Sequence, residues 1–192
     1  MLPRRFTVAL LLAVTVAGCL PGARHEYYVR PEADFSFIKR VAILPFENLT
    51  QNKDDGERLR KMFACELLAS GLVDVASLGE TTAACTKAGL ESGAAVKPSD
   101  AKSLCGGLAV QALLYGTVSA LGESRSSGPA SSSGAEVAVT FVMVDEAGAT
   151  MWSSNIVTSG GGFWTYYMGG RGESVHETSL RAIRRAIRTL HH

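Results

Sequence analysis

The chain has 192 residues, of which 46% are hydrophobic, with 19 basic and 18 acidic side chains and a formal net charge of +1. This length suits one domain with a substantial core. Basic and acidic residues are nearly equal in number, and the chain has no basic arm or acidic tail. Its charge therefore does not suggest a nucleic-acid-binding protein. None of the four cysteines belongs to a Cys-x-x-Cys pair, so no metal site is expected.

The chain begins with the features of an export signal. Residues 1–5 (MLPRR) carry two arginines and no acid, and residues 6–17 (FTVALLLAVTVA) form a short apolar run. The run is shorter than the roughly twenty residues that a membrane-spanning helix needs. A cationic start followed by a short apolar core is typical of a signal peptide. The sequence therefore predicts a signal peptide over residues 1–18.

The residues that follow the apolar run predict a lipid anchor. Val16-Ala17-Gly18-Cys19 resembles the bacterial lipobox, and the resemblance implies cleavage before Cys19 and acylation of both its thiol and its new amino group. Acyl chains contribute about 0.8 kcal/mol per buried methylene, so several of them hold a protein on a membrane durably. In Gram-negative lipoproteins an aspartate directly after the anchor usually retains the protein in the inner membrane. Leu20 occupies that position here, so the resemblance implies the outer membrane, and we expect the domain to face the periplasm. A covalent lipid on Cys19 is the only cofactor-like group expected.

The first half of the mature chain predicts a tether and then alternating strands and helices. Residues 19–36 combine prolines and scattered charges without a hydrophobic period, which indicates a lipidated tether ahead of a domain over residues 37–192. KRVAILPFENL predicts a strand that Pro45 closes. Asp54 and Glu57 resemble a capping box at the start of a helix that ends at Gly71. LVDVASL predicts a second strand, and residues 80–89 and 99–106 predict short helices, the later one capped by Ser99.

The second half predicts a meander and a final helix. AVQALLYGTVSAL, AEVAVTFVMVDEA and TMWSSNIVTS predict three strands, with a turn at residues 146–148. SVHETSLRAIRRAIRTL predicts an amphipathic helix capped by Ser174 and Glu177. The predicted element order is βαβααβββα. It indicates a single α/β (α+β) domain, three-layer-like, with one mixed sheet flanked by helices.

Three stretches of this domain carry a resemblance. VAILPFENLTQNKDDGERLRKMFACELLASG, LLYGTVSAL and VTFVMVDEAGATMWSS together resemble the α/β domain shared by several bacterial envelope proteins. These are the curli-transport lipoproteins, the lipoprotein activators of penicillin-binding proteins, the amino-terminal domain of the Tol translocation protein and certain neisserial surface lipoproteins. The resemblance implies this fold, binding or assembly, and no catalysis. Curli transporters also carry long hairpins that build a transmembrane barrel, for which this chain leaves little room.

The residue patterns of an enzyme are absent from the sequence. Neither Gly-x-Ser-x-Gly nor a Walker motif occurs, and HETSL at His176 lacks the second histidine of a zincin. His176 is expected to be a core histidine. Glu66 lies within an apolar stripe, where it is either a perturbed carboxylate or, as we favour, paired with a basic side chain or a backbone N–H. We predict no enzymatic activity and no small-molecule substrate.

Three cysteines follow the anchor, and two alternatives stay open for them. Cys85 and Cys105, on neighbouring short helices in an oxidising periplasm, could close a disulfide worth about 3 kcal/mol. In the other alternative all three cysteines are unpaired small hydrophobes. Cys65 is expected to be reduced and buried.

A glycine-flanked aromatic segment and an arginine-rich helix face are the remaining functional candidates. Clustered aromatic residues on a hinged loop are typical of binding surfaces. Either they fold back as a lid over the sheet, or they contact a protein partner, a sister subunit or the membrane. These residues are Phe163, Trp164, Tyr166, Tyr167 and Met168. Arg181, Arg184, Arg185 and Arg188 line the polar face of the last helix, which is either solvated or faces an anionic envelope partner.

Our favoured hypothesis is a non-enzymatic outer-membrane lipoprotein that binds or scaffolds cell-envelope proteins. It meets the membrane through its lipid, and a homo-oligomer is a further expectation. One alternative is a subunit of a curli-transporter-like secretion assembly, and a second is an envelope enzyme. Ion conduction by rings inserted in liposomes would identify the first alternative, and a ligand ordered beside Glu66 or His176 the second.

Overall fold

The computed structural model describes residues 24–93, 95–125, 133–160 and 172–191, and it confirms a mixed α/β domain whose sheet is flanked by helices. In chain order the elements are β1 (Arg24–Val29), β2 (Arg40–Ile43), β3 (Glu47–Asn48), α1 (Asp55–Ser70), β4 (Asp74–Val75), α2 (Leu78–Ala88), α3 (Pro98–Leu108), β5 (Ala112–Arg125), β6 (Ser133–Asp145), β7 (Thr150–Ser159), α4 (Val175–Arg188) and a 3-10 helix (Thr189–His191). Within these described ranges, no helix has the length and apolar character to cross a membrane.

One sheet organises the domain. Its strand order is β1-β7-β6-β5-β2-β4, and β3 pairs with β5 beside this path. The pairs β2–β4, β2–β5 and β3–β5 are parallel, whereas β1, β7, β6 and β5 form antiparallel pairs. The sheet therefore has a parallel half, built with the crossovers through α1, α2 and α3, and an antiparallel half built from the predicted meander.

The first face of the sheet is covered by α1 and α4. Leu59, Phe63 and Leu67 repeat at one-turn spacing along α1 and are buried, as the sequence predicts. Phe63 packs on Phe141 of β6 with ring centroids 4.6 Å apart. From α4, a stripe of small and branched side chains completes this cluster: Ala182, Ile183, Ala186 and Ile187.

The second face is covered by α2 and α3 over the parallel half of the sheet. Cys85 from α2 and Leu104 from α3 are buried in a second cluster with Ala42, Leu113 and Val144 of the sheet. Three layers result, since the sheet lies between the α1/α4 pair and the α2/α3 pair. The predicted three-layer arrangement is thus confirmed.

A charged side chain is buried between these layers. Arg60 of α1 is 1% exposed. Its Nε and Nη2 donate to the carbonyl oxygen of Ile43 at 2.9 and 2.7 Å, and Nη2 also donates to the carbonyl oxygen of Leu78 at 3.1 Å. Its Nη1 donates to Thr82 Oγ1 at 2.9 Å and pairs with Glu57 at 3.1 Å. Arg60 therefore joins the end of β2 and the start of α2 to α1.

Strand β1 corrects the predicted tether. Residues 24–29 lie within the segment predicted to be irregular, but they pair antiparallel with β7, so the folded domain extends to residue 24 at least. The partners are Arg24 with Val157 and Val29 with Trp152. Most β1 side chains are at least partly exposed, so no hydrophobic period identifies the strand. Its pairing is set by backbone hydrogen bonds to a strand more than a hundred residues away.

Two of the predicted helix starts differ in the structure. Asp54 makes no side-chain capping bond; instead the buried Asp55 accepts from Thr50 Oγ1 at 2.9 Å and from Asn52 Nδ2 at 2.8 Å. For α3 the capping position is Lys97 and Pro98 follows it, so Ser99 lies inside the first turn. The proline sets the backbone angle for a first turn, which makes a serine cap unnecessary.

Candidate functional site

The antiparallel half of the sheet presents ordered rows of side chains on its second face. Directly paired residues of neighbouring strands share a face, so the register defines each row across β5, β6, β7 and β1. The three rows are Tyr115–Val142–Ser153–Tyr28, Thr117–Thr140–Asn155–Glu26 and Ala120–Ala138–Val157–Arg24.

Helices α2 and α3 cover these rows only at Tyr115 of β5 and Val142 of β6, which pack against the second cluster. On β7 and β1 the side chains are more exposed: Tyr28 is 48% and Val157 is 41% exposed. In the described part of the chain, the second cluster contains no residue of β1 or β7. We define the open face as Tyr28, Ala138, Thr140, Ser153, Asn155 and Val157.

The open face carries no charge. Its side chains are small or amide-bearing apart from Tyr28, and Thr140 Oγ1 lies 3.3 Å from Asn155 Oδ1. Arg24 and Glu26 lie at its margin, 3.9 Å apart and both well exposed. A neutral centre with a charged rim is typical of a surface that contacts another protein.

Strand β1 forms an edge beside the open face. Within the described residues β1 pairs only with β7, so its other side presents backbone N–H and C=O groups. Tyr27 is 54% exposed, and its ring centroid lies 5.6 Å from that of His25. An edge of this kind is a template for pairing with another strand. The edge and the open face form one continuous surface.

A histidine and a serine are paired where β1 meets β7. His25 Nε2 lies 3.0 Å from Ser154 Oγ. Partial burial and the nearby Arg185 lower the pKa of His25, so the imidazole is held neutral and suits this hydrogen bond. The pair has the atoms of a nucleophile and a base, but Ser154 is 1% exposed, so a substrate does not reach its hydroxyl. Sequence analysis did not find this pair because it placed His25 in the tether.

The structure shows the surroundings of the two candidate catalytic residues, Glu66 and His176. Glu66 accepts a two-pronged hydrogen bond from Arg184, with Nε at 2.7 Å and Nη2 at 3.0 Å, which confirms the predicted pairing with a basic side chain. This carboxylate raises the pKa of Arg184. His176 is exposed, so the prediction of a core histidine is wrong. The sidedness of a helix fixes a first-turn residue poorly, and α4 turns His176 toward solvent.

The described cysteines are free thiols. Cys85 and Cys105 are both buried in the second cluster, but the structure forms no bond between them. Burial raises the pKa of Cys85, and burial with the nearby carboxylates of Glu146 and Asp145 raises that of Cys105 to about 11. Cys65 is exposed, so its predicted burial is wrong. It lies on the solvent side of α1.

Several predicted site residues lie outside the described ranges. These are the anchor Cys19 and the aromatic segment Phe163, Trp164, Tyr166, Tyr167 and Met168. Among the residues that the structure does describe, no group of three or more histidine, cysteine, aspartate or glutamate side chains could hold a metal ion.

The comparisons with known proteins give a fold. No protein-family model matches the sequence, and no curated protein matches it. The PelC dodecamer from Paraburkholderia phytofirmans is similar in structure, with a TM-score of 0.57 and 18% identity over 86% of this chain and 95% of that one. The likeness is one of fold.

Two further solved structures match over less of the chain. Lipoprotein GNA1162 from Neisseria meningitidis has a TM-score of 0.48 and 20% identity, covering 68% of this chain and 91% of that one. LpoB from E. coli has a TM-score of 0.46 and 13% identity, covering 64% and 58%. The α/β fold that the sequence resemblance implies is confirmed by the likeness to PelC.

Proposed function

We propose that this chain is a non-enzymatic, lipid-anchored outer-membrane lipoprotein whose α/β domain binds or scaffolds cell-envelope proteins, including copies of itself. The observation that carries the proposal is the open face with its β1 edge. It is an uncharged surface with exposed Tyr28, Asn155 and Val157, and one sheet edge continues from it. Such a surface suits a protein partner, because a neutral centre with a charged rim is typical of protein interfaces.

The anchor supports an envelope partner. Cys19 precedes β1 by five residues, which reach at most about 18 Å. A lipid on Cys19 therefore keeps the start of β1, and with it the margin of the open face at Arg24, close to the membrane. Partners of this surface would be proteins of the membrane or its immediate neighbourhood.

The fold comparison supports self-association as part of the proposal. PelC, which shares the fold, is described as a dodecamer. A domain of this shape is therefore able to assemble with copies of itself.

The chemistry of the described residues supports a non-enzymatic role, since Ser154 is buried and Glu66 is fully engaged by Arg184.

The open face is tested by introducing charge into it. Asn155→Arg and Val157→Arg should lower recovery of a crosslinked envelope partner about tenfold or more, since a desolvated, unpaired guanidinium is costly in an interface. Both residues are exposed, so melting temperatures should hardly change. Ser103→Arg, on the exposed side of α3, is the matched control and should keep the partner. Equal recovery from all three variants would refute the proposal.

The anchor is tested on the mature amino terminus. Mass spectrometry should find an acylated Cys19, and Cys19→Ala should leave an unprocessed or soluble protein. A mature terminus beyond residue 19 without a lipid would contradict an anchored location.

A further inference from the structure

A groove of about 450 Å³ opens beside the start of α1. The loop after β3, residues 49–52, forms one wall, and β5 residues 119–123 form the other. Every charged residue that lines it is acidic: Asp55, Glu123 and Glu136. The carboxylate of Asp55 is already engaged by Thr50 and Asn52. Glu123 and Glu136 are exposed, and neither forms an ion pair with another side chain that the structure describes, a set that does not include Arg125.

The β5 wall of this groove is an unfinished strand edge. β3 pairs with β5 only at Thr117 and Val118, and Leu49 N then donates to the carbonyl oxygen of Val118. From Ala120 onward, among described residues, β5 pairs with β6 alone. The groove therefore offers backbone carbonyl groups beside two exposed carboxylates. A guanidinium suits such a set because its five N–H groups satisfy both kinds of acceptor.

Two arginines on α4 have the matching charge. Arg181 pairs with Glu173 at 2.8 Å, and Arg184 pairs with Glu66. Arg185 and Arg188 are exposed and form no ion pair with the described part of the chain. The helix face thus holds two neutralised and two uncompensated cations.

The groove and Arg188 lie at opposite ends of α1. Asp55, at the first turn of α1, lines the groove. Ser70, at the last residue of α1, lines a cleft together with Arg188. A helix of 16 residues is about 24 Å long, which is beyond the reach of an arginine side chain. Arg188 therefore cannot reach the groove of its own molecule.

We propose that Arg185 and Arg188 of one copy dock at the groove of the next copy, so that copies of this chain associate head to tail. The partner is a second copy because the same molecule supplies both the unpaired guanidinium groups and the acidic groove with its free strand edge. Contacts between two different surfaces are heterologous, so they close into a ring or continue as a filament. This inference rests on the self-association included in the proposed function, and it assigns the surfaces involved.

The test uses the full lipoprotein, purified in detergent, with its mass measured over a range of concentrations. Wild type should form a discrete assembly that weakens as salt rises to about 0.5 M, since salt screens exposed charges. Arg185→Glu with Arg188→Glu should raise the dissociation constant at least about tenfold, and so should Glu123→Arg with Glu136→Arg. Lys87→Glu with Lys102→Glu, a double reversal on exposed residues of α2 and α3, is the control and should assemble as wild type does.

Mixing the two reversal variants gives the decisive result. Opposite charges then face each other again at every contact, so the mixture should assemble although neither variant does alone. A mixture that stays dissociated, reversal variants that assemble like wild type, or a wild-type protein that stays monomeric would each overturn the inference. The inference would also be overturned if the Glu123→Arg, Glu136→Arg variant no longer bound an envelope protein that wild type binds, while the mass of its self-assembly stayed that of wild type. The proposed function and this inference can fail separately. If partner recovery depends on Asn155 but the charge reversals leave assembly unchanged, the proposed function holds and this contact does not.

Discussion

At the scale of single residues, Arg60 explains how a cation is accommodated in the core. Burial of an unpaired charge costs several kcal/mol, and hydrogen bonds must replace the lost water. The carbonyl oxygens of Ile43 and Leu78, with Thr82 and Glu57, supply that replacement. The same bonds tie α2 to the end of β2. The arginine is therefore both satisfied and structurally necessary, because its removal leaves the buried Ile43 carbonyl without this donor.

Arg60→Met should lower the free energy of unfolding by about 3 to 5 kcal/mol, as expected when one partner of a buried polar set is deleted. Denaturant unfolding of the domain measures this loss. Arg58→Met, two residues away on the exposed side of α1, should change stability by less than about 0.5 kcal/mol. Similar values for the two variants would show that the buried bonds contribute nothing specific.

His25 gives the domain a stability that depends on pH. Burial and Arg185 lower its folded-state pKa below the ordinary 6.5. As pH falls through 6.5, the unfolded chain therefore takes up a proton before the folded chain does, and the free energy of unfolding decreases. The loss levels off once pH passes below the folded pKa.

Unfolding free energies measured between about pH 7.5 and about pH 5 should fall less steeply for His25→Gln than for wild type. The substitution removes the titrating group while leaving an amide near Ser154. His176→Gln, on the exposed side of α4, serves as the control variant. Identical slopes for wild type and His25→Gln would contradict the lowered pKa.

The three described cysteines should differ in reactivity toward an alkylating reagent. In the Cys19→Ala variant, the folded protein should label at the exposed Cys65 only, because Cys85 and Cys105 are buried with raised pKa values. Unfolding without a reductant should then expose all three thiols. Labelling of Cys65 alone after unfolding would instead show that Cys85 and Cys105 form the disulfide left open by the sequence.

At the scale of elements, helices α4 and α3 begin in two different ways. Ser174 and Glu177 form a complete capping box on α4, in which Glu177 N donates to Ser174 Oγ and Ser174 N donates to the carboxylate. These bonds from Ser174 lower the pKa of Glu177. On α3 the proline at position 98 takes the place of a cap, and the Ser99 hydroxyl donates to the carboxylate of its neighbour Asp100 at 3.2 Å.

Ser174→Ala should therefore cost about 1 kcal/mol of stability, whereas Ser99→Ala should cost a few tenths at most. Both substitutions remove a serine hydroxyl near the start of a helix, but only Ser174 is a cap, so denaturant unfolding measures what the capping bond contributes. An equal cost for both would show that the capping bond does not stabilise α4.

Elements with a hydrophobic period were predictable from sequence, whereas β1 and β3 were not. β6 alternates buried Val137, Val139 and Phe141 with more open residues, and α1 buries leucine and phenylalanine side chains at one-turn spacing, so local periodicity identified both. β3 has two residues and β1 has no buried side chain. Such strands exist because a neighbour supplies backbone hydrogen bonds, and a pattern of side chains does not encode that neighbour.

At the scale of the whole molecule, the open face follows from the distribution of helices over the sheet. α2 and α3 connect parallel strands and therefore pack beside them, which leaves β7 and β1 uncovered on that side in the described part of the chain. The sequence predicted the layers but not which half of a layer stays open. The neutral residues of the open face, such as Thr140 and Ser153, carry no local signal of function. Their significance comes from the rows in which the register places them.

The most direct test of a partner-binding lipoprotein is photocrosslinking in living cells. A photoreactive amino acid at Asn155, in the full anchored chain, should give a discrete adduct with an envelope protein, because this position lies at the centre of the open face. The same amino acid at Ser103, on the exposed side of α3, should give no such adduct. If Asn155 yields no adduct, or if Ser103 yields the same one, the open face is not the surface through which this protein acts.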